Sequence, residues 1–255
     1  RFTNSNLPQK HRWDEKQFIR YDNLSTMKDI DEVVYWHRAS LFDRIVLFPW
    51  FVANYFISLL RGASPLHAIK WWLINVAQSR DVEEHTQRLA YACRRHPKVP
   101  KIAWGVSRGA ATTFCSLALM SQASRKDVKL AIIEGCFDSV PNLLKARYGS
   151  LLACICQLLL SFFTEYDITK SRSMSPLALA SRFPHDIPIA FISSNNDKTV
   201  PRICSKRLYE AVKQSGHPHA FFLTLETKGH NEYYTGQDAV LYDKFIKNLL
   251  KRFSV

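Results

Sequence analysis

The sequence is poor in the residues and spacings that mark several common classes of protein. It has only 8 glycines and 11 prolines in 255 residues, which excludes a collagen-like chain and argues against a low-complexity one. None of its six cysteines forms a Cys-x-x-Cys pair, and no set of cysteines and histidines has the spacing of a zinc site. Since 47% of the residues are hydrophobic, the chain can bury one large core, and we expect a globular protein.

The six cysteines are expected to be free thiols. Most of them lie in apolar stretches, where a thiol behaves as a small hydrophobic group. The sequence also lacks the pattern of a secretory signal peptide. Because free thiols are typical of reducing compartments, these two observations favour an intracellular location.

Acidic residues are fewer than basic ones. The chain has 35 lysines and arginines against 22 aspartates and glutamates, a net charge of +13, which predicts attraction to phospholipid, nucleic acid or acidic proteins. The basic clusters Arg94-Arg95 and Lys251-Arg252 fall at the ends of predicted helices, where cations stabilise the helix dipole. No RNA- or DNA-binding motif accompanies them, so a nucleic-acid partner is not expected, whereas peripheral contact with a membrane or lipid stays open.

No hydrophobic run reaches the roughly 18 residues needed to span a membrane. Two shorter apolar segments occupy residues 46–60 and 151–163. The second is interpreted either as a lid helix that grips an acyl chain or touches a membrane surface, or as a buried helix that covers a sheet. The sequence favours a buried or lid helix over membrane contact.

Residues 1–32 are polar and irregular and predict an N-terminal arm, whereas a regular alternation of apolar strands and amphipathic helices begins near residue 100. The predicted strands are 101–106, 128–134, 187–193 and 220–225, with a further candidate at 71–77. The predicted helices are 80–95, 108–123, 201–214 and 238–252. Apolar strands separated by helices are typical of parallel sheets, so the fold class is α/β, with a mostly parallel sheet covered by helices on both faces.

The motif with the most chemical information is Gly105-Val106-Ser107-Arg108-Gly109, which fits the pattern Gly-x-Ser-x-Gly. A predicted strand precedes it and a predicted helix follows it, the context in which a nucleophilic serine is held on a tight strand-to-helix turn. The helix N-terminus adds a partial positive charge, and the backbone N–H of Arg108 would donate to an oxyanion. Ser107 is therefore the candidate nucleophile, and Arg108 a candidate oxyanion-hole residue.

A serine hydroxyl needs a base to take its proton and a carboxylate to orient that base. Asp197 lies in a polar turn after the strand at 187–193, and His230 lies in a loop after the strand at 220–225. Asp138 also follows a strand and is the alternative acid. Asp197 is preferred, and Asp138 is expected to support the start of a helix near Pro141.

The other histidines are weaker candidates for the base. His217 and His219 flank a proline in a loop and are expected to be solvated. His85 lies on a predicted helix and is expected at the surface. His230 is therefore the preferred base.

On the segments GVSRG, NNDKTVP and KGHNE, the chain resembles the α/β-hydrolase superfamily of serine hydrolases, over roughly residues 70–255. The resemblance implies a single α/β-hydrolase domain over residues 33–255, in which residues 139–180 form a helical lid insertion. It also implies a Ser107–His230–Asp197 triad, an acyl-enzyme intermediate, and no metal or organic cofactor.

The sequence departs from this family in lacking a His-Gly dipeptide, whose loop usually supplies the second oxyanion donor. If residues 44–48 form an early strand, its loop begins with Pro49, which has no N–H, so Trp50 or Phe51 would donate. Alternatively, residues 46–60 form one helix and the donor lies near residues 62–64. Both alternatives stay open, with Trp50 as the named candidate.

These observations predict a serine hydrolase that cleaves a carboxylic ester, thioester or amide in a small-molecule acyl substrate. Ester or lipid-like acyl groups are preferred over peptides because the predicted lid is apolar. The alternative is a catalytically silent α/β-hydrolase-fold scaffold that binds a protein partner or a membrane surface.

Overall fold

The computed structural model describes residues 78–163, 167–226, 229–230, 233–234 and 236–255. In this part of the chain, four strands lie side by side in one parallel sheet: β1 (Lys101–Val106), β2 (Val128–Glu134), β3 (Ile189–Ser194) and β4 (Ala220–Leu225). The helices are α1 (Gln78–Arg95), α2 (Arg108–Leu119), α3 (Gln122–Arg125), α4 (Val140–Phe163), α5 (Ile168–Ser173), α6 (Arg202–Gln214) and α7 (Ala239–Phe253).

Several predictions concern residues outside this part of the chain. They are the N-terminal arm at 1–32, the segment at 46–60 with Trp50 and Phe51, the alternative donor region at 62–64 and the strand at 71–77. The single domain over 33–255 likewise stays a prediction.

The two inner strands are almost entirely buried. In β2 only Lys129 is exposed, and β3 is buried throughout. The register pairs Ile133 of β2 with Phe191 of β3, and Phe191 with Phe222 of β4. Continuous burial of this kind occurs in parallel strands that have a helical layer on each side, and it explains why the strands read as unbroken apolar runs.

Alternate side chains of the strands belong to two different layers. Ile133 and Phe191 point to the layer that contains Phe114 of α2 and Leu208 of α6, with which they form the main hydrophobic cluster. The next residue of β2, Glu134, points to the opposite side, where Tyr242 of α7 donates a hydrogen bond to its carboxyl group. Helices therefore cover both faces of the sheet, and the predicted α/β class is confirmed.

Gly105, near the end of β1, lies directly under helix α2. A Cβ atom at this position would lie 2.5 Å from the carbonyl oxygen of Gly109 and 2.6 Å from Cα of Ala110. Backbone atoms cannot move aside as a flexible side chain can, so the close packing of α2 on β1 requires glycine here. This contact fixes the start of α2 relative to the sheet.

Two predicted boundaries differ from the structure for identifiable reasons. Helix α2 ends at Leu119 rather than at residue 123, because Met120 is extended and the hydroxyl of Ser121 then caps the separate helix α3. Strand β3 begins at Ile189 rather than at residue 187. Pro188 has no N–H to donate to a sheet ladder, although its carbonyl oxygen accepts a hydrogen bond from Ala131.

Helix α4 is longer than the apolar segment predicted at 151–163. It is interrupted at Gly149, whose φ of 78° and ψ of 172° are not helical. In the part after Gly149, Ala153 is buried and Leu160 packs against the core, but large aliphatic side chains on the other side are exposed. The interpretation of this segment as a buried helix is therefore wrong. The part of α4 over Val140–Ser161 is long and apolar enough to cross a membrane, by length and composition alone.

Candidate active site

Ser107 occupies the single residue between β1 and α2, in a strained backbone conformation. Its φ of 56° and ψ of −121° lie in a region that non-glycine residues rarely adopt, and such residues are concentrated at functional sites. The turn is held on both sides: the N–H of Ser107 donates to the carbonyl of Glu134 at 2.8 Å, and its own carbonyl accepts from Ala110 at 3.0 Å. The serine is thereby fixed at the carboxyl edge of the parallel sheet.

His230 lies between Ser107 and Asp197, within hydrogen-bond distance of both. Its Nε2 is 2.8 Å from Ser107 Oγ, and its Nδ1 is 2.6 Å from Asp197 Oδ2. The Asp197 side chain is fully buried, whereas the imidazole is partly exposed. The structure thus brings together the three residues that the sequence named as nucleophile, base and acid, at distances suited to proton transfer.

Asp197 is held in place by backbone donors of its own turn. The N–H groups of Thr199 and Val200 donate to its Oδ1 at 2.8 and 3.0 Å, the local pattern for which aspartate is favoured in turns. Burial opposes the charged form of this carboxyl. The hydrogen bonds from His230, Val200 and Thr199 outweigh that effect and hold its pKa below the ordinary value. Asp197 is therefore a carboxylate at neutral pH.

Tyr233 is a residue of this site that the sequence analysis missed. Its side chain is fully buried, and its hydroxyl donates to Asp197 Oδ2 at 3.1 Å, the same oxygen that faces His230. The only sequence signal is its position three residues after the histidine, in the segment HNEYY. An aromatic residue near a predicted site is usually a core residue, so that signal was too weak to use.

Arg108 follows Ser107 directly, as the first residue of α2. Its guanidinium lies 3.3 Å from the carboxylate of Asp81 on α1, so the side chain is directed toward that helix. The side chain of Arg108 is therefore directed away from Ser107, and only its backbone N–H is a candidate group for the reaction. In a nucleophile elbow, the backbone N–H of the residue after the nucleophile donates to the oxyanion, and Arg108 occupies that position. The other candidate donor, Trp50, lies outside the described residues.

Asp138 has partners other than His230. Its carboxylate accepts hydrogen bonds from the N–H of Ser139 and from the side chain of Asn142, and the guanidinium of Arg207 lies 2.8 Å away. Burial raises the pKa of Asp138, despite the opposing effect of Arg207. The hydroxyl of Ser139 accepts from the N–H of Asn142, so the start of α4 is capped by Ser139 with Asp138 beside it.

The expectation of a solvated His217 is wrong, and His85 is only partly exposed. His217 is buried, and its Nε2 lies 3.0 and 3.1 Å from the carbonyl oxygens of Pro184 and Ile187, where it joins two loops. His85 packs against α2, with its Nε2 3.4 Å from Thr113 Oγ1. Burial, followed by the effect of Arg88, lowers the pKa of His85 to about 4, so this ring is neutral. Both histidines have structural contacts that residue order along the chain does not reveal.

Within the described ranges, no group of three or more histidine, cysteine, aspartate or glutamate side chains could hold a metal ion. All six cysteines lie in these ranges and are free.

The chain is similar to known proteins in its structure but not in its sequence. No family model matches the chain, and no curated protein matches it. Among solved structures, it is similar to the acylaminoacyl peptidase of Pyrococcus horikoshii, with a TM-score of 0.55, 18% identity, and coverage of 75% of this chain and 30% of that one.

Two other peptidases show the same likeness. Dipeptidyl peptidase 4 of Porphyromonas gingivalis has a TM-score of 0.51 and 18% identity, with coverage of 69% of this chain and 23% of that one. A puromycin-hydrolyzing peptidase of Mycobacterium tuberculosis has a TM-score of 0.50 and 19% identity, with coverage of 66% and 24%. The chain therefore spans less than a third of each of these proteins, and at such low identity the likeness concerns the fold.

Proposed function

Since the chain has the α/β-hydrolase fold, we propose that it is a serine hydrolase that cleaves a carboxylic ester, thioester or amide. Ser107 is the nucleophile, His230 the general base and Asp197 the orienting acid. The observation that carries this proposal is the continuous chain of contacts from a buried carboxylate through an imidazole to a serine hydroxyl on a strained turn. If these three residues met only by chance in the core, there would be no reason for Ser107 to adopt a strained backbone conformation as well.

The chemistry follows from the positions of these atoms. Nε2 of His230 takes the proton of Ser107 as Oγ attacks the acyl carbonyl, and the buried Asp197 carboxylate stabilises the imidazolium that forms. The backbone N–H of Arg108 donates to the developing oxyanion. His230 then gives the proton to the leaving alcohol, thiol or amine. In the second half, water loses a proton to His230 and attacks the acyl-enzyme, the bond from the acyl carbon to Ser107 Oγ breaks, and His230 returns the proton to Oγ as the acid leaves.

An ester or lipid-like acyl substrate is the preferred class. Helix α4 leaves the same edge of the sheet as Ser107 and exposes a row of aliphatic side chains. Such a surface favours substrates that reside in an apolar phase. A peptide substrate is the second candidate, because the three similar structures are all named as peptidases.

Labelling of the purified chain with a fluorophosphonate probe tests the proposal, because such probes react with activated serine nucleophiles. We expect labelling at Ser107, none in Ser107→Ala and at least a tenfold slower reaction in His230→Ala, given that a general base contributes about 10²–10⁴-fold. Ser181→Ala, at an exposed serine, is the matched control and should label like the parent. Absence of labelling in a folded protein would overturn the proposal and favour the silent scaffold.

The substrate class is tested by a second screen on the same variants. Nitrophenyl esters of increasing acyl length are compared with blocked and unblocked peptide nitroanilides. Ester turnover that rises with acyl length supports the lipid-like substrate. If the peptides are hydrolysed and the esters are not, the lipid-like substrate is wrong and the peptide substrate replaces it.

A further inference from the structure

Helix α4 presents an unusual apolar surface outside the candidate active site. Its apolar face consists of Leu151, Leu152, Ile155, Leu158 and Leu159, with exposed fractions of 75, 53, 45, 58 and 51%. Single exposed aliphatic residues are normal on protein surfaces. These five recur at helical spacing on one side of the helix after Gly149, so they form one patch, and patches of this kind mark interaction sites.

The other side of the same helix is attached to the protein. Ala153 is buried, and Leu160 packs against the hydrophobic core. Helix α4 therefore cannot turn its apolar face inward by rotating without losing these contacts. The uncharged part of α4, residues 148–163, is about 24 Å long as a helix, which is shorter than the roughly 30 Å hydrocarbon core of a bilayer. The geometry suits a helix that lies along a surface rather than one that spans.

The charges next to the apolar face identify the kind of surface. Lys145 and Arg147 are exposed on the turns of α4 that precede it, and α4 contains no aspartate or glutamate. Asp138, just before the helix, is buried beside Arg207. The exposed Tyr148 ring, with the Arg147 guanidinium 5.0 Å from its centroid, lies between the cations and the apolar face. The order along the helix is thus basic, then aromatic, then aliphatic.

We propose that the apolar face of α4 docks onto an anionic lipid bilayer. The aliphatic side chains enter the boundary between headgroups and acyl chains, while Lys145 and Arg147 contact the lipid phosphates. The net charge of +13 attracts the whole chain to such a surface. A second copy of the chain is a poorer occupant, because it would bring a second set of cations against the first. This inference does not depend on the reaction proposed for Ser107.

Co-sedimentation of the full chain with vesicles tests the docking face. The parent protein should bind vesicles of phosphatidylcholine containing about 30% phosphatidylserine, and bind pure phosphatidylcholine at least tenfold more weakly. Binding should weaken at high salt because exposed charges are screened. The double variant Leu151→Gln/Leu158→Gln should lose at least tenfold in affinity for the anionic vesicles, and Lys145→Gln/Arg147→Gln should lose the preference for them.

Control variants on α7 test whether the loss of vesicle binding is specific to the apolar face of α4. A general loss of apolar surface or of positive charge would affect the α7 variants equally. Val240→Gln removes an exposed aliphatic side chain, and Lys244→Gln an exposed cation, at a distance from α4 along the chain. Both should bind like the parent. No binding by the parent, or equal binding by the α4 and α7 variants, would overturn the proposal. So would sedimentation velocity showing a parent dimer that the Leu151→Gln/Leu158→Gln variant cannot form.

Discussion

The hydroxyl of Tyr233 donates to the oxygen of Asp197 that also faces His230 Nδ1. Tyr233→Phe keeps the ring but removes this donor, so the carboxylate is less stabilised and more basic. Its pKa, held low in the native site, should rise, and it should bind the His230 proton more tightly. Both effects shift the acidic limb of the kcat/KM profile to higher pH. We expect the plateau to fall about tenfold, which corresponds to the lower end of the roughly 1.5–3 kcal/mol that a hydrogen bond to a charged group is worth.

The neighbouring variant Tyr234→Phe is the control for this measurement, because Tyr234 is only partly buried. It should leave both the plateau and the acidic limb unchanged. If Tyr233→Phe lowers thermal stability while its acidic limb coincides with that of the parent, Tyr233 is only a packing residue. The pH–rate profile therefore separates a positioning role from a structural one.

Among elements, the contact between β1 and α2 is the one on which the position of Ser107 most depends. In Gly105→Ala, the new Cβ would overlap backbone atoms of Gly109 and Ala110, so α2 must move away from the sheet. Overpacking of this kind costs about 1–3 kcal/mol, and the movement would take Ser107 Oγ out of reach of His230. We expect a lower unfolding free energy in urea and loss of fluorophosphonate labelling.

Gly109→Ala provides a matched comparison four residues away on the same turn. A Cβ at Gly109 meets no atom within 4 Å, and alanine is the better helix former. Its stability should be equal to that of the parent or slightly higher. If Gly105→Ala were as stable as Gly109→Ala, the close approach of α2 to β1 would not need glycine.

The positions of strands and helices could be predicted from the sequence where burial produces a recognisable pattern of apolar residues. Strands β1, β2 and β4 begin and end at the predicted residues, because each is a mainly apolar run between polar turns. The exposure of α4 was not predictable, since an apolar helix has the same composition whether its outer side is covered or not. The contacts of His217 and Tyr233 depend on loops that meet only in the fold.

The candidate site was predictable in its residues but not in its surroundings. Ser107, Asp197 and His230 each follow a parallel strand, and the carboxyl ends of parallel strands meet at one edge of the sheet. With that rule, the order of strands and polar turns along the chain is enough to predict that the three side chains meet. It gives no information on Trp50, whose segment lacks a His-Gly dipeptide, or on the buried Tyr233 that donates to Asp197.

At the scale of the whole molecule, the apolar face of α4 and the candidate site belong to segments that leave the same edge of the sheet. Ser107 follows β1 and α4 follows β2, so both leave the carboxyl edge of the sheet. Docking through α4 would then hold the nucleophile close to the lipid phase. A substrate dissolved in that phase would be delivered by docking, whereas a water-soluble substrate would not.

This arrangement predicts a difference between two substrates of one enzyme. Leu151→Gln/Leu158→Gln should hydrolyse a short, water-soluble nitrophenyl ester at the parent rate, because the candidate triad is unchanged. On a long-chain ester carried in anionic vesicles, its rate should fall at least tenfold, in proportion to the lost vesicle binding. Equal losses on both substrates would indicate damage to the fold. Equal rates on the vesicle substrate would show that docking through α4 and hydrolysis at Ser107 are independent.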